Sequence, residues 1–191
     1  MAKDTRDSIV SAFISLAKQN PQRSSFTMSE IARQAGISRQ AIYQKHFQNY
    51  DDIIKYIHEQ TDQRIFQVFN NSCLRREENP IECFANFAIP LVYENRNIIR
   101  TLFVTQADPG WKEFLRDTYS KWILKNVHYN KEFDFSEDDM TYVVANMIIT
   151  FIEAWIRKEN PTPPEKFKKT FLLLTTISLR DYMILQEKDS E

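Results

Sequence analysis

The chain has 191 residues, of which 42% are hydrophobic, 13% aromatic and 27% charged, with only two glycines. A chain of this size buries enough surface to fold without a metal or disulfide staple, and its apolar content excludes intrinsic disorder. Phosphate loops and dinucleotide folds spend glycine on tight turns and close backbone approach, so the scarcity of glycine points to an all-α protein. Residues 1–50 hold seven Lys and Arg against three Asp and Glu, a net +4, leaving −5 on the remainder for a total of −1. A basic head on an acidic body suits a phosphate-binding module joined to a non-binding one.

Helical periodicity recurs along the whole sequence. Ile9, Phe13, Leu16 and Ala17 share one face of a first helix that should end at Asn20-Pro21. Thr27 and Glu30 form a capping-box pattern opening a short helix, which Gly36 should stop in a left-handed conformation. Ser38 is placed to cap a further helix ending near His46-Phe47. Asn49 can cap a long helix from about Tyr50 to Ser72, with Asp51 and Asp52 at the positive end of its dipole. Asn79-Pro80 reads as cap and first position of a fifth helix, which Pro90 should kink or end. Helices over about 94–106 and 110–128 follow. Ser136 and Asp139 form a second capping-box pattern ahead of a helix on which Met140, Val143, Met147, Phe151 and Ile152 share a face. After Pro161, Pro163 and Pro164, a last helix places Phe167, Phe171, Leu174, Ser178, Tyr182 and Leu185 on a heptad-like stripe. The only domain boundary this pattern suggests lies near residue 50, dividing 1–50 from 51–191.

The segment TMSEIARQAGISRQAIYQKHF, residues 27–47, carries the chemistry. It encodes a capped helix, a glycine turn and a second capped helix. Ile31, Ala32, Ala35, Ile37 and Ile42 can close a small core against the first helix. That arrangement is helix-turn-helix logic, in which the core fixes the second helix so that its other face can enter the DNA major groove. Arg39, Gln40 and Gln44 suit base edges, since Arg reaches guanine O6 and N7 while Gln pairs with adenine N6 and N7. Thr27, Arg33, Ser38, Tyr43, Lys45 and His46 suit phosphate or mixed contacts.

These residues resemble the DNA-binding head of the TetR family of bacterial transcriptional regulators. The similarity rests on Phe26-Thr27, Ile31-Ala32, Ala35-Gly36-Ile37-Ser38, Ile42-Tyr43 and His46-Phe47, and covers about a quarter of the chain. It implies an N-terminal three-helix DNA-binding head and a helical-bundle body for effector binding and dimerisation. The last two helices of such a body form a four-helix bundle with a second subunit, and the stripes on 136–158 and 164–186 fit that role. Two departures stand out. Gln44 and Lys45 both separate Tyr43 from His46-Phe47 where the family usually has one residue, and Tyr50 stands where the family often places a phosphate-gripping lysine.

The resemblance therefore implies a homodimeric, ligand-responsive repressor on a pseudo-palindromic double-stranded DNA operator. A TetR-like coactivator docking a protein partner is the alternative. Tyr93, Phe103, Trp111, Phe114, Trp122, Phe151 and Trp155 are candidates for an apolar effector pocket, against the plainer reading that they are core. No catalytic motif is present, so no enzyme is expected, and no cofactor or metal either: Cys73, Cys83 and His58 lack zinc-site spacing, and the two cysteines read as buried small hydrophobes. The N-terminus has no secretory pattern, and the longest uninterrupted apolar stretch, Phe87 to Tyr93, is far below the ~20 residues that span a bilayer. A cytoplasmic protein with no membrane partner is expected.

Overall fold

A computed structural model describes residues 5–68, 70–71, 79–129 and 134–177. Among these residues the chain forms helices and no strand. Helix α1 spans Thr5–Gln19, α2 Met28–Ala35, α3 Arg39–Lys45 and α4 Tyr50–Val68. Helix α5 is composite, running Pro80–Cys83, through a π-helical segment Phe84–Ala88, to Ile89–Glu94. Helices α6 (Arg96–Val104), α7 (Trp111–Asn126), α8 (Glu137–Ile156) and α9 (Pro164–Thr176) complete the fold.

The local signals of the N-terminal unit behave as their chemistry dictates. Thr27 Oγ1 accepts from the Glu30 amide at 3.2 Å while Glu30 Oε2 accepts from the Thr27 amide at 2.9 Å, so both halves of the capping box form. Arg23 clamps the same carboxylate with two hydrogen bonds of 2.8 and 3.1 Å. That clamp, with the Thr27 donors, holds the Glu30 carboxyl down at about 2. Gly36 ends α2 at φ 69°. The Ile37 amide donates to Ala32 O at 3.1 Å and the Gly36 amide to Arg33 O at 3.3 Å, the two bonds of a Schellman motif. Ser38 Oγ then accepts from the Ala41 amide at 3.1 Å and starts α3. Phe13, Ile31, Ile42 and Phe47 are all buried where the three helices meet.

Helical backbone continues through Pro90, but regular α geometry is interrupted just before it. The helix widens one turn earlier, and the Ile89 amide bonds Phe84 O five residues back. A π turn spreads the backbone where the proline ring would meet a carbonyl four residues behind it and where its missing N–H would leave that carbonyl unpaired. The helix predicted to reach Ser72 is described to Val68, and Ser72 lies outside the described residues, as do Ser178, Tyr182 and Leu185 of the last stripe.

The body packs α7 against α8, α9 against α5, and α4 against the π segment of α5. Trp155 of α8 stacks on Phe167 of α9 with ring centroids 4.0 Å apart, and Phe171 stacks on Phe84 at 5.3 Å. Much of the apolar stripe assigned to subunit contact is thus buried inside the chain itself: Ile152, Trp155, Phe167 and Phe171 are core. Periodicity identifies an apolar face but not what covers it. What stays exposed is Tyr142, Val143 and Met147 on α8 and Leu173 on α9. Helix α8 is long and apolar enough to cross a membrane, with a mean hydropathy of 1.2. It nevertheless opens on Glu137, Asp138 and Asp139 and buries Thr141, Ala145 and Ile152 against its own chain.

Gly36 tests the turn. A Cβ there would meet nothing within 4 Å, so any cost is purely conformational. Gly36→Ala is expected to destabilise the protein by about 1–2 kcal/mol, the penalty for a left-handed non-glycine residue. Urea unfolding measures it, and an unchanged midpoint would show that the turn tolerates a side chain.

Candidate nucleic-acid interface and internal cavity

Helix α3 has two chemically distinct sides. Ile42 is fully buried, and the Phe47 ring behind it packs on Tyr56 of α4 at 5.4 Å. Arg39, Gln40, Gln44 and Lys45 are exposed, as are Thr27, Arg33 and Ser38, while Tyr43 and His46 are half-buried. None of the sequence-nominated polar residues is buried in the core. Arg39 lies over the Tyr43 ring at 5.2 Å and donates to its hydroxyl at 3.2 Å, which aligns both side chains along the helix. The extra residue between Tyr43 and His46 is absorbed by continuing α3 through Lys45. His46 then sits at the C-cap, and the amides of His46 and Phe47 both donate to Ile42 O, at 2.9 and 3.1 Å. Tyr50 does not turn toward solvent in place of a lysine. Its hydroxyl donates to Ala107 O at 2.6 Å, and burial pushes its ionisation above the usual phenol range.

That tyrosine belongs to a connection between the N-terminal helices and the body. The Gln106 amide donates to Pro21 O at 2.7 Å, tying the α6–α7 loop to the α1–α2 loop. His58 of α4 pairs with Asp108 of the same loop at 2.6 Å and lies flat on Phe114, with centroids 3.9 Å apart. One turn along α4, Asp62 is 5% exposed. Its Oδ1 accepts from the Tyr119 hydroxyl at 3.2 Å, and its Oδ2 has no partner among the described residues. Burial raises its carboxyl to about 6, opposed by the Tyr119 hydrogen bond and the nearby His58.

Beside this cluster the body encloses a cavity of about 400 Å³ between α4, α5, α6, α7 and α8. Phe103, Trp111 and Trp122 of the sequence-nominated aromatic residues lie on its wall. The others pack elsewhere: Phe114 on His58, Tyr93 on Trp155 at 5.8 Å, and Phe151 edge-on to Phe171 at 6.2 Å. Tyr119 also lines it, and sequence reasoning passed over Thr61, Ile65 and Ile148, which do so too. Ordinary aliphatic and hydroxyl residues carry no mark in a sequence that would separate cavity wall from core. Cys83 is buried, as expected, but disulfide-bonded, which the sequence reading did not foresee. Its sulfur is therefore not a candidate metal ligand, and Cys73 lies outside the described residues.

No family model matches the sequence, and no curated protein matches it. Among solved structures, NalD of Pseudomonas aeruginosa, described as the secondary repressor of the MexAB-OprM multidrug efflux pump, superposes with a TM-score of 0.60 at 16% identity, over 89% of this chain and 94% of that one. A TetR transcriptional regulator from Streptococcus agalactiae gives a TM-score of 0.57 at 20% identity, over 89% and 92%. The chain has the TetR-regulator fold. A third structure, the dihydroxyacetone kinase operon activator DhaS, superposes with a TM-score of 0.57 at 20% identity, over 90% and 93%. The TetR-like fold extends to nearly the whole chain, so the likeness is not confined to the helix-turn-helix that first suggested it.

Asp62 gives this region a pH signature. Its carboxyl binds a proton more tightly when folded than its ordinary value of 3.8, so the favourable contribution of the protonated form is complete below pH 4 and is lost as pH rises through about 6. Asp62→Asn is expected to remove that loss, worth up to about 3 kcal/mol. Melting temperatures of both proteins from pH 4 to 8 should diverge toward the alkaline end. Parallel curves would mean that Asp62 titrates normally.

Proposed function

We propose that the protein is a homodimeric, ligand-responsive transcriptional repressor that reads a pseudo-palindromic operator through α3. The observation that carries the reading is the division of α3 into a buried anchor at Ile42 and an exposed row of Arg39, Gln40, Gln44 and Lys45. A fold of transcriptional regulators over nearly the whole chain supports it. In this reading residues 1–50 form the DNA-binding head and 51–191 the body. Arg39, Gln40 and Gln44 meet base edges. Thr27, Arg33, Ser38, Tyr43, Lys45 and His46 meet the backbone, and half-sites lie ~34–36 Å or a multiple apart. The protein acts in the cytoplasm and has no catalytic task. The alternative of a coactivator that docks a protein partner has no observation of its own in its favour.

Titration of the purified protein against the DNA upstream of its own gene, with scrambled DNA as reference at physiological salt, tests the reading. Specific binding should exceed nonspecific binding by ~10³-fold or more. Gln40→Ala or Gln44→Ala should cost ~1–3 kcal/mol at particular operator positions. A uniform loss on all sequences would move those residues to the phosphate backbone. A reporter behind the bound promoter decides the sign of regulation, with increased expression in a deletion strain expected of a repressor.

The dimer is proposed to form through the exposed faces of α8 and α9. Val143 of α8 is 48% exposed and Leu173 of α9 55% exposed, an unusual state for large apolar residues. The double substitution Val143→Glu and Leu173→Glu should yield a monomer by analytical ultracentrifugation, with operator affinity lost. A dimer that survives it would place the interface elsewhere.

A further inference from the structure

The cavity of about 400 Å³ has an uneven chemistry that the fold does not explain. Its wall includes no Lys, Arg, Asp or Glu among the described residues, and the histidine on it, His128, is 90% exposed and faces Glu137 at 3.6 Å. Three of its hydroxyls have their protons committed. Thr61 donates to Ile57 O at 2.8 Å, Thr175 to Phe171 O at 3.0 Å, and Tyr119 to Asp62 at 3.2 Å. Each of these oxygens is left only to accept. Trp122 Nε1 is already engaged with Asn70 Oδ1 at 3.2 Å, while Trp111 Nε1 is buried without a partner among the described residues.

Immediately outside the wall stands Asp62. It follows Thr61 on α4, bonds Tyr119 across to α7, and leaves one buried carboxylate oxygen without a partner among the described residues. His58, the nearest basic group on α4, is taken up by Asp108. A buried, half-satisfied carboxylate is costly unless a positive charge or further donors reach it. The same carboxylate polarises the Tyr119 oxygen, making it a stronger acceptor toward the cavity. Resting on the reading of the cavity as an effector site, we infer that it takes an amphiphilic organic cation, an ammonium-type head with an apolar body, with the head held at the Asp62–Tyr119 pair. Apolar residues such as Phe103, Leu115 and Ile148 receive the body. The cation needs a counter-charge to leave water and finds it in Asp62. A carboxylate of the same shape loses its own hydration and meets a like charge.

Three probes of one chain length separate the head-group classes: decylamine, decanol and decanoate. Each is titrated into the full-length protein at pH 7.5 by calorimetry and by fluorescence of the wall tryptophans. Decylamine should bind at least ~10-fold more tightly than decanoate, with decanol between them. Asp62→Asn should collapse that ranking while leaving decanol affinity within twofold. Asp62→Leu, which removes the unpaired oxygens altogether, serves if the asparagine variant folds poorly. Equal binding of the three, or preference for decanoate, overturns the inference, as does an amine preference that survives loss of the carboxylate. Binding of none up to millimolar concentration overturns it and removes the cavity as a ligand site. Tight amine binding that leaves operator affinity unchanged upholds the assigned ligand class and counts instead against ligand-responsive repression.

Discussion

The loop between α6 and α7 fixes how the N-terminal helices sit on the body. It offers three successive attachment points: the Gln106 amide to Pro21 O, Ala107 O to the Tyr50 hydroxyl, and the Asp108 carboxylate to His58. Each bond is short, and all three join partners at least fifty residues apart in sequence. The loop leads directly into Trp111, which stands on the cavity wall. The same loop thus touches both the N-terminal helices and the cavity wall. A ligand changes the attitude of the head only if it favours one arrangement of this loop over another.

The second constraint is the polar content of the α4–α7 interface. Most of that interface is aromatic, with His58 lying on Phe114 and Phe66 stacked on Tyr119 at 5.4 Å. Into it the chain inserts two carboxylates, Asp62 and Asp108. Asp108 is satisfied, since His58 takes Oδ2 and the Gly110 amide takes Oδ1 at 3.1 Å. Asp62 is not. A carboxyl kept at a stability cost beside an apolar cavity is hard to account for as packing, because leucine or asparagine would fill the space more cheaply.

The head was largely legible in the sequence because its signals are local. A capping box, a left-handed glycine and a serine cap each act within a few residues, so Thr27, Glu30, Gly36 and Ser38 announce the geometry they adopt. The burial of Ile31, Ala32 and Ile42 follows from spacing, while Ala35 and Ile37, assigned to the same core, are only half-buried. The body was legible only as helices. Whether Phe167 faces a second subunit or Trp155 of its own chain depends on how far apart α8 and α9 pack, and no local pattern encodes that distance. Asp62 was invisible because an aspartate inside an amphipathic helix looks like any solvated one. Only its neighbours, Tyr119 above all, make it exceptional.

Helix α3 is far shorter than the ~12–15 residues at which an isolated helix becomes even marginal in water. It persists because Ser38 caps it and because Ile42 and Phe47 fasten it to α1, α2 and α4. Its outward residues contribute almost nothing to that persistence. Surface chemistry and foldability are thus written in separate letters of the same short word: Arg39, Gln40 and Gln44 are exposed, while Ile42 is fully buried. On the proposed reading, a lineage, or an engineer, could retarget this chain to a new DNA sequence one outward residue at a time and keep a folded protein at every step.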